Sequence, residues 1–215
     1  MRIGVVADTH VGDELPRLPP EVCDTLDRVG VDLILHAGDL CDPGVLDDLA
    51  AVAPVVAVRG NHDPARLGLP QHATVPAGGH RIGLTHGVRR SAVEMASAAA
   101  FLATGRLRMT GHCRALRRAF PAVDAVVFGH LHLPACRVVD GVLYFSPGSV
   151  YQPELDPAFA WTGLERRLYR RVRRRMRPEQ RRAAIGVIDA GERLIARIVP
   201  LRRPIHPRGP RPEGS

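Results

Sequence analysis

The chain has 215 residues, of which 45% are hydrophobic and 24% charged, and its formal net charge is +8. This composition is typical of a globular domain and excludes a disordered chain, a collagen and a disulfide-rich miniprotein. No apolar run approaches the roughly 20 residues of a membrane-spanning helix, and the N-terminal run is too short for a signal peptide. The four cysteines form no C-x-x-C pair, so we expect a protein of the reducing cytoplasm.

Short apolar runs rich in Val and Ile recur along the chain and stop at Gly, Asp, Asn or His, which is the pattern of buried strands. Helical spacing at 20–29 and 44–53 lies between the early runs, so the first half predicts βαβ units. Residues 184–201 predict a terminal hairpin. The range 91–120 predicts two helices, and 156–182 a proline-flanked helix. The strands predicted before the hairpin are 3–7, 33–35, 55–58, 82–84, 125–128 and 142–145.

This order of elements predicts an α/β layered fold with mixed sheets. We expect one domain over residues 1–201, with a basic helical insertion at about 156–183. Residues 202–215, rich in Pro, Arg and Gly, are expected to form a disordered tail. The strand pattern by itself fits either a sandwich of two sheets or a doubly wound single sheet.

Five of the predicted strands end in a candidate metal ligand or in a glycine beside one. Because the carboxyl ends of strands in an α/β sheet form the crevice where ligands bind, these side chains are expected to meet. In two motifs the i, i+2 spacing puts both side chains on one side if strand geometry continues. The five ends are Asp8-Thr9-His10, His36-Ala37-Gly38-Asp39, Gly60-Asn61-His62-Asp63, Thr85-His86-Gly87 and Gly129-His130-Leu131-His132.

The candidate ligands are two carboxylates, one amide and four imidazoles, a set that suits Mn, Fe, Zn, Co or Ni better than calcium. Seven ligands are too many for one ion and fit two ions that share a carboxylate. Two divalent ions with the charges of Asp8 and Asp39 leave a site of about +2, which matches a phosphate ester. A pair of ions can also clamp an in-line phosphoryl transition state. The pattern therefore predicts hydrolysis at phosphorus.

The five motifs, in this order, resemble the calcineurin-like metallophosphoesterase family. The segment Ser146-Pro147-Gly148-Ser149 resembles one found in its small bacterial and archaeal phosphodiesterase branch. The resemblance implies a four-layer sandwich of two mixed β-sheets flanked by helices. It also implies two divalent transition-metal ions, Mn first and Fe, Zn, Ni or Co as alternatives. One ion would be bound by Asp8, His10, Asp39 and His132, and the other by Asp39, Asn61, His86 and His130, with Asp39 bridging.

By the same resemblance, His62 faces the phosphate of the substrate. It would donate a hydrogen bond to a non-bridging oxygen or protonate the leaving group, and Asp63 would orient it. Relatives in the small branch often carry Cys at this position, so His62 departs from that branch. The implied activity is a phosphoesterase that prefers phosphodiesters to phosphomonoesters, with a metal-bridging hydroxide as nucleophile.

Two other functions stay open at this point. The family resemblance extends to a eukaryotic retromer subunit, which allows a non-catalytic protein-binding scaffold with a vestigial site. A nuclease recruited to RNA or DNA is the other alternative, because residues 166–182 hold ten arginines against one acid. Apolar residues at spacing four predict a helix over 161–177 in this region. Such a helix would dock on the domain or on a second copy in a homodimer, attract a polyanion, or lie on an anionic membrane surface.

The remaining histidines and one cysteine also have predicted roles. His36 either contacts the site from behind its ligands or is a satisfied core histidine. Cys41 is expected to be an inert thiol although it follows Asp39 closely. The histidines taken as surface or structural residues are His72, His80, His112 and His206.

Overall fold

The computed structural model of the chain describes residues 1–87, 109–151 and 178–202, together with Arg167 and Arg174. Most of the predicted basic insertion, the 161–177 dimer helix and the tail from residue 203 lie outside the described residues. The predicted domain limits, the dimer and the disordered tail therefore stay predictions. Within the described ranges, no helix is long and apolar enough to cross a membrane.

Strands and helices alternate in the first half of the chain, as predicted. The strands are β1 Arg2–Val6, β2 Leu33–His36, β3 Val55–Ala57, β4 His72–Ala77, β5 His80–Thr85, β6 Ala125–Phe128, β7 Pro134–Val139, β8 Val142–Pro147, β9 Ala184–Ala190 and β10 Leu194–Pro200. The helices are α1 Pro20–Val29, α2 Gly44–Ala50 and α3 Met109–Ala119. Short 3-10 helices cover Ala65–Leu67 and Pro178–Arg181.

Local sequence signals fix the bounds of α1. The helix begins at Pro20, at a position where the missing backbone N–H leaves no hydrogen bond unmade. It ends at Val29 and is capped by Gly30, whose φ of 69° is the left-handed conformation that favours glycine. The Gly30 N–H donates to the carbonyls of Leu26 and Asp27. Val22 and Leu26 are its buried face. The predicted bounds 20–29 are thus confirmed.

The first sheet has the strand order β10-β9-β1-β2-β3. Strands β1, β2 and β3 are parallel, and β9 runs antiparallel to β1. The β1–β2 connection passes through α1, as a parallel pair requires. The terminal hairpin β9–β10 completes the sheet, which confirms that prediction.

The second sheet has the order β4-β5-β6-β8-β7. Its three central strands β5, β6 and β8 are parallel, and its two edge strands β4 and β7 run antiparallel to their neighbours. Strands β6 and β8 are buried along their whole length. Such strands are typical of a parallel sheet covered on both faces.

The two sheets pack face to face and helices cover their outer faces. Between the sheets, Ile3 and Leu35 of the first sheet share one apolar core with Ile82 and Phe145 of the second. Helices α1 and α2 pack on the outer face of the first sheet, and α3 packs on that of the second. The four-layer sandwich of two mixed sheets is confirmed, and the doubly wound single sheet is excluded.

Two strands, β4 and β7, were missed by the sequence pattern. Both are edge strands, and most of their residues are exposed or partly exposed. Strand β4 contains Pro76 and β7 begins at Pro134, and proline is tolerated in sheets at edges and strand starts. A strand with few fully buried residues carries a weak apolar signal in its sequence.

Candidate metal centre

The loops that follow β1, β2, β3, β5 and β6 meet at one end of the sandwich. Backbone hydrogen bonds hold the first two loops in register: Asp8 N donates to Gly38 O and His10 N donates to Asp39 O, both at 3.0 Å. The second sheet is tied to the first by His130 N, which donates to Asp8 Oδ1 at 3.0 Å. The strand ends therefore bring both sheets to one point, as the sequence predicted.

Five of the seven predicted ligands have a left-handed backbone. They are Asp8, His10, Asp39, His130 and His132, with φ of 52°, 48°, 56°, 71° and 51°. Strand geometry does not continue into these motifs, because β1 ends at Val6 and β6 at Phe128. The i, i+2 pairs therefore converge through left-handed turns and not through strand alternation. Asp and His tolerate this conformation better than most residues, but it still costs free energy.

One group of donors combines residues of the β1 and β6 loops. Nε2 of His10 lies 3.2 Å from Nε2 of His132 and 3.8 Å from Oδ2 of Asp39. Nε2 of His132 lies 3.7 Å from Oδ1 of Asp8. The ligand atoms of Asp8, His10 and His132 all lie within 4.8 Å of one another, which is compact enough for one ion.

A second group lies on the other side of Asp39. Nε2 of His86 lies 3.1 Å from Oδ2 of Asp39 and 3.0 Å from Oδ1 of Asn61. The same amide oxygen lies 3.0 Å from Nδ1 of His130. The ligand atoms of Asp8, Asp39 and His86 also lie within 4.8 Å of one another. Oδ2 of Asp39 thus faces both groups.

Burial and mutual attraction set the charges of this cluster. Burial raises the pKa of Asp8 to about 7 and lowers that of His132 to about 3. Burial alone would lower the pKa of His86, but its hydrogen bond to Asp39 and the charge of Asp8 raise it to about 9. Burial would likewise raise the pKa of Asp39, but His86 and the backbone N–H of His62 hold it well below its usual range. Without metal, a proton on His86 thus supplies positive charge between two carboxylates.

The donors fit divalent transition metals. Oδ2 of Asp8 is fully buried and has no hydrogen-bond partner among the described residues, which is the state of a ligand atom turned toward a cation. The donor set of carboxylate, amide and imidazole groups matches Mn, Fe, Zn, Co and Ni. Gly60 also leaves space for the Asp39 carboxylate, because a Cβ at this position would lie 2.1 Å from Oδ1 of Asp39.

Asp63 lies between the loops that follow β2 and β3. Its Oδ2 accepts hydrogen bonds from the backbone N–H groups of Asp39 at 2.9 Å and Gly60 at 2.8 Å. Its Oδ1 accepts from Cys41 N at 2.7 Å. Both oxygens therefore accept from the backbone and tie the β2 and β3 loops together, and the orienting of His62 by Asp63 stays a prediction.

His62 is half exposed at the mouth of the cluster, and its carboxylate neighbour is Asp13. Nδ1 of His62 lies 3.3 Å from Oδ2 of Asp13. The His62 ring also packs edge-on against His10, with centroids 4.9 Å apart. Sequence reasoning missed Asp13, because an acid in a loop is ordinarily solvated. Its place three residues after His10 was the one signal available.

His36 supports the loops that carry the ligands. It is fully buried, and burial lowers its pKa to about 4, so the ring is neutral. Its Nδ1 accepts a hydrogen bond from Gly38 N at 3.2 Å, and Nε2 lies 3.3 Å from the hydroxyl of Thr9. That hydroxyl donates in turn to Asp39 O at 3.4 Å. His36 is thus a buried histidine with both ring nitrogens satisfied, and it reaches the ligand loops through Gly38 and Thr9.

Together, the two-sheet sandwich and the clustered carboxylate, amide and imidazole donors define a class of metal-dependent hydrolase. Residues 1–165 match the model of the calcineurin-like phosphoesterase superfamily domain. The chain belongs to this superfamily, which confirms the resemblance found in the sequence.

Relatives and solved structures agree with this assignment. The chain is 34% identical over 161 residues, or 74% of its length and 83% of the relative's, to a probable metallophosphoesterase of Methanothermobacter thermautotrophicus. It is 25% identical over 162 residues to a phosphodiesterase of Methanocaldococcus jannaschii, covering 69% of this chain and 83% of the other. A crystal structure of a single-mutant Vps29 from Entamoeba histolytica superposes with a TM-score of 0.63 at 19% identity, over 94% of this chain and 100% of that one. The last likeness concerns the fold alone.

Proposed function

We propose that the chain is a phosphodiesterase that works with two divalent metal ions. Asp39 carries the proposal, because its Oδ2 lies 3.8 Å from Nε2 of His10 and 3.1 Å from Nε2 of His86. One carboxylate can therefore serve two neighbouring ions, which is the arrangement of a two-metal hydrolase. The preference for diesters draws on the 25% identical relative from M. jannaschii, which is named a phosphodiesterase.

The proposed ligands follow the two groups of donors. Asp8, His10, Asp39 and His132 would hold one ion, and Asp39, Asn61, His86 and His130 the other, with Mn²⁺ as the first candidate. His10 and His132 suit this role because burial lowers the pKa of each, so that both are neutral bases. His86 would release its proton when a metal takes over the charge that the proton supplies.

When bound, a pair of divalent ions supplies positive charge to the phosphate and activates a water molecule as the nucleophile. The chain contributes the orientation of the substrate. His62 is 48% exposed at the mouth, and its backbone N–H donates to Oδ1 of Asp39 at 2.8 Å, so its position is fixed relative to the shared carboxylate. Its ring would donate a hydrogen bond to a phosphate oxygen or a proton to the leaving group.

The scaffold alternative is disfavoured by the donor set. All seven predicted ligands are present together with His62, and the buried charges of Asp8, Asp39 and His86 carry a cost that a vestigial site would have no reason to keep. No disulfide joins the four cysteines, all of which the structure describes, and we place the enzyme in the cytoplasm.

The test is hydrolysis of bis(4-nitrophenyl) phosphate and of 4-nitrophenyl phosphate by metal-stripped protein with Mn²⁺ added back. We expect turnover to return with the metal and to be faster on the diester. Asp39→Ala should lower it by roughly 10³-fold or more, since both ions lose a ligand. Asp47→Ala, which removes an exposed carboxylate on α2, is the matched control and should keep full activity. No turnover with Mn, Ni, Co, Zn or Fe, in folded and metal-loaded protein, would contradict the proposal.

A further inference from the structure

A tight turn after β1 presents Asp13 at the mouth of the cluster. The N–H groups of Glu14 and Leu15 both donate to His10 O, at 2.8 and 2.9 Å, and Gly12 N donates to Leu15 O at 2.7 Å. The turn is therefore closed on both sides of Asp13 by backbone hydrogen bonds. Because backbone hydrogen bonds hold the turn, the main chain of Asp13 is placed independently of the contacts that its side chain makes.

The Asp13 carboxylate faces the Nδ1 atoms of two histidines, His62 and His10. Its Oδ2 lies 3.3 Å from Nδ1 of His62 and 3.9 Å from Nδ1 of His10. The opposite edge of the His10 ring faces the cluster, with Nε2 at 3.2 Å from Nε2 of His132. A carboxylate that accepts from Nδ1 fixes the plane of an imidazole and leaves Nε2 for another partner.

Other carboxylates near the mouth are engaged elsewhere. Asp63 accepts three backbone N–H groups with its two oxygens. Oδ1 of Asp42 accepts from Gly44 N at 2.8 Å, before α2. Glu14, which follows Asp13, accepts a hydrogen bond from the hydroxyl of Tyr151 at 3.3 Å. Among the residues that the structure describes, Asp13 is therefore the acid beside the half-exposed ring of His62.

We propose that Asp13 is a positioning residue for His62. It accepts a hydrogen bond from Nδ1–H of His62, and it thereby holds the ring with Nε2 toward the mouth, where a phosphate ester would meet it. This inference rests on the proposed phosphoesterase function for its kinetic consequence only, because the contact itself can be measured in the absence of activity.

The direct measurement is the ring-nitrogen spectrum of His62. In long-range ¹H–¹⁵N spectra of the zinc-loaded protein, with the His62 signals identified by their loss in His62→Asn, we expect Nδ1 to be the protonated nitrogen. Asp13→Asn should shift the His62 ring nitrogens away from that pattern and leave those of His36 unchanged. Asp24→Asn, which removes an equal charge from the exposed face of α1, is the control and should change neither ring.

The kinetic measurement is a double-mutant cycle on bis(4-nitrophenyl) phosphate with Mn²⁺. Asp13→Asn should lower kcat about 10-fold with KM nearly unchanged, as is typical when the partner of a functional group is lost. In a His62→Ala background the same change should alter kcat less than about 2-fold, since Asp13 acts through His62. Asp13→Glu, which restores a carboxylate, should recover part of the loss.

Three results would overturn the inference. The first is a His62 spectrum that Asp13→Asn leaves unchanged. The second is an equal loss of kcat in the presence and absence of His62. The third is a metal content of three ions per chain that falls to two in Asp13→Asn, because Asp13 would then be a ligand with His10 and His62. If the wild-type protein hydrolyses no ester, the proposed function fails, while the ring-nitrogen spectrum still decides whether Asp13 holds His62.

Discussion

The interior between the two sheets and the rim, which is formed by the loops after the strands, differ in how their buried residues affect stability. Between the sheets, fully buried apolar side chains such as Ile3, Ile82 and Phe145 pack on regular strands, and their burial stabilises the fold. At the rim, Asp8 and Asp39 are equally buried, but they are charged or polar and have a left-handed backbone. Each such backbone costs about 1 kcal/mol. The interior therefore raises the free energy of unfolding, and holding the metal-ligand donors at the rim lowers it.

Two glycines allow the two regions to be compared with the same substitution. A Cβ on Gly60, at the rim, would lie 2.1 Å from Oδ1 and 2.5 Å from the backbone N of Asp39. A Cβ on Gly186, in the interior, would lie 2.4 Å from Cε1 of Phe145. We expect Gly60→Ala to lower turnover by about 10²-fold, because a shift of about 1 Å at Asp39 disturbs both donor groups.

Gly186→Ala should instead lower the free energy of unfolding by about 1–3 kcal/mol, the usual cost of overpacking, with kcat of the folded protein unchanged. Urea unfolding and steady-state kinetics of both variants give the two quantities. Equal losses of kcat in the two variants would show that interior and rim are not separable.

Removing a rim charge should stabilise the metal-free protein. Burial raises the pKa of Asp8 to about 7, so its favourable protonated form is lost as the pH rises through that value. Asp8→Asn keeps an acceptor for His130 N and removes the charge. We expect it to raise the free energy of unfolding by about 1–2 kcal/mol at pH 8 in the presence of chelator, and by less at pH 5.

In the presence of Mn²⁺ the same variant should lose most of its hydrolytic activity. Thermal unfolding with chelator, at the two pH values, is the measurement. A lower Tm of Asp8→Asn at pH 8 would contradict the view that this carboxylate is held at a cost.

A surface charge should matter least. Asp189 on β9 accepts hydrogen bonds from Arg2 and Arg197, which hold its pKa below the usual range. The stabilisation is present above the ordinary pKa of an aspartate near 3.8 and is lost as the pH falls through the lowered folded value. Because the group is partly exposed, Asp189→Asn should cost less than about 1 kcal/mol at pH 7, and this cost should shrink as the pH falls below 3.8. A loss as large as that of Gly186→Ala, in the same urea titration, would contradict this ranking.

The sequence predicted most of the fold because its central strands are continuous apolar runs with polar ends. It failed at β4, where short apolar side chains flank Pro76, and at β7, which has no fully buried residue. The choice between one sheet and two came from family resemblance, since burial on both faces looks the same in either fold. The order in which strands pair within each sheet depends on long-range contacts that no local sequence pattern records.

The candidate ligands could be predicted from the sequence because each follows a strand. The geometry by which they converge could not be predicted. Left-handed turns at Asp8 and His130 replace the strand alternation that the spacing suggested. The roles of Asp13 and Asp63 were also out of reach, because both are loop acids whose partners lie on other loops. Such contacts depend on the closure of the whole sandwich.

The three N–H bonds to Asp63 have a consequence for how the centre acquires its metals. Two of them join the Asp63 carboxylate of the β3 loop to backbone N–H groups of the β2 loop, and none involves a metal-ligand side chain, so the segments that carry Asp39 and Asn61 are already assembled before any ion arrives. Little conformational entropy is left to be lost on loading, and ions can be exchanged while the loops stay in place. The identity of the resident ions would then follow the supply of metals in the cell and not the order in which the chain folds.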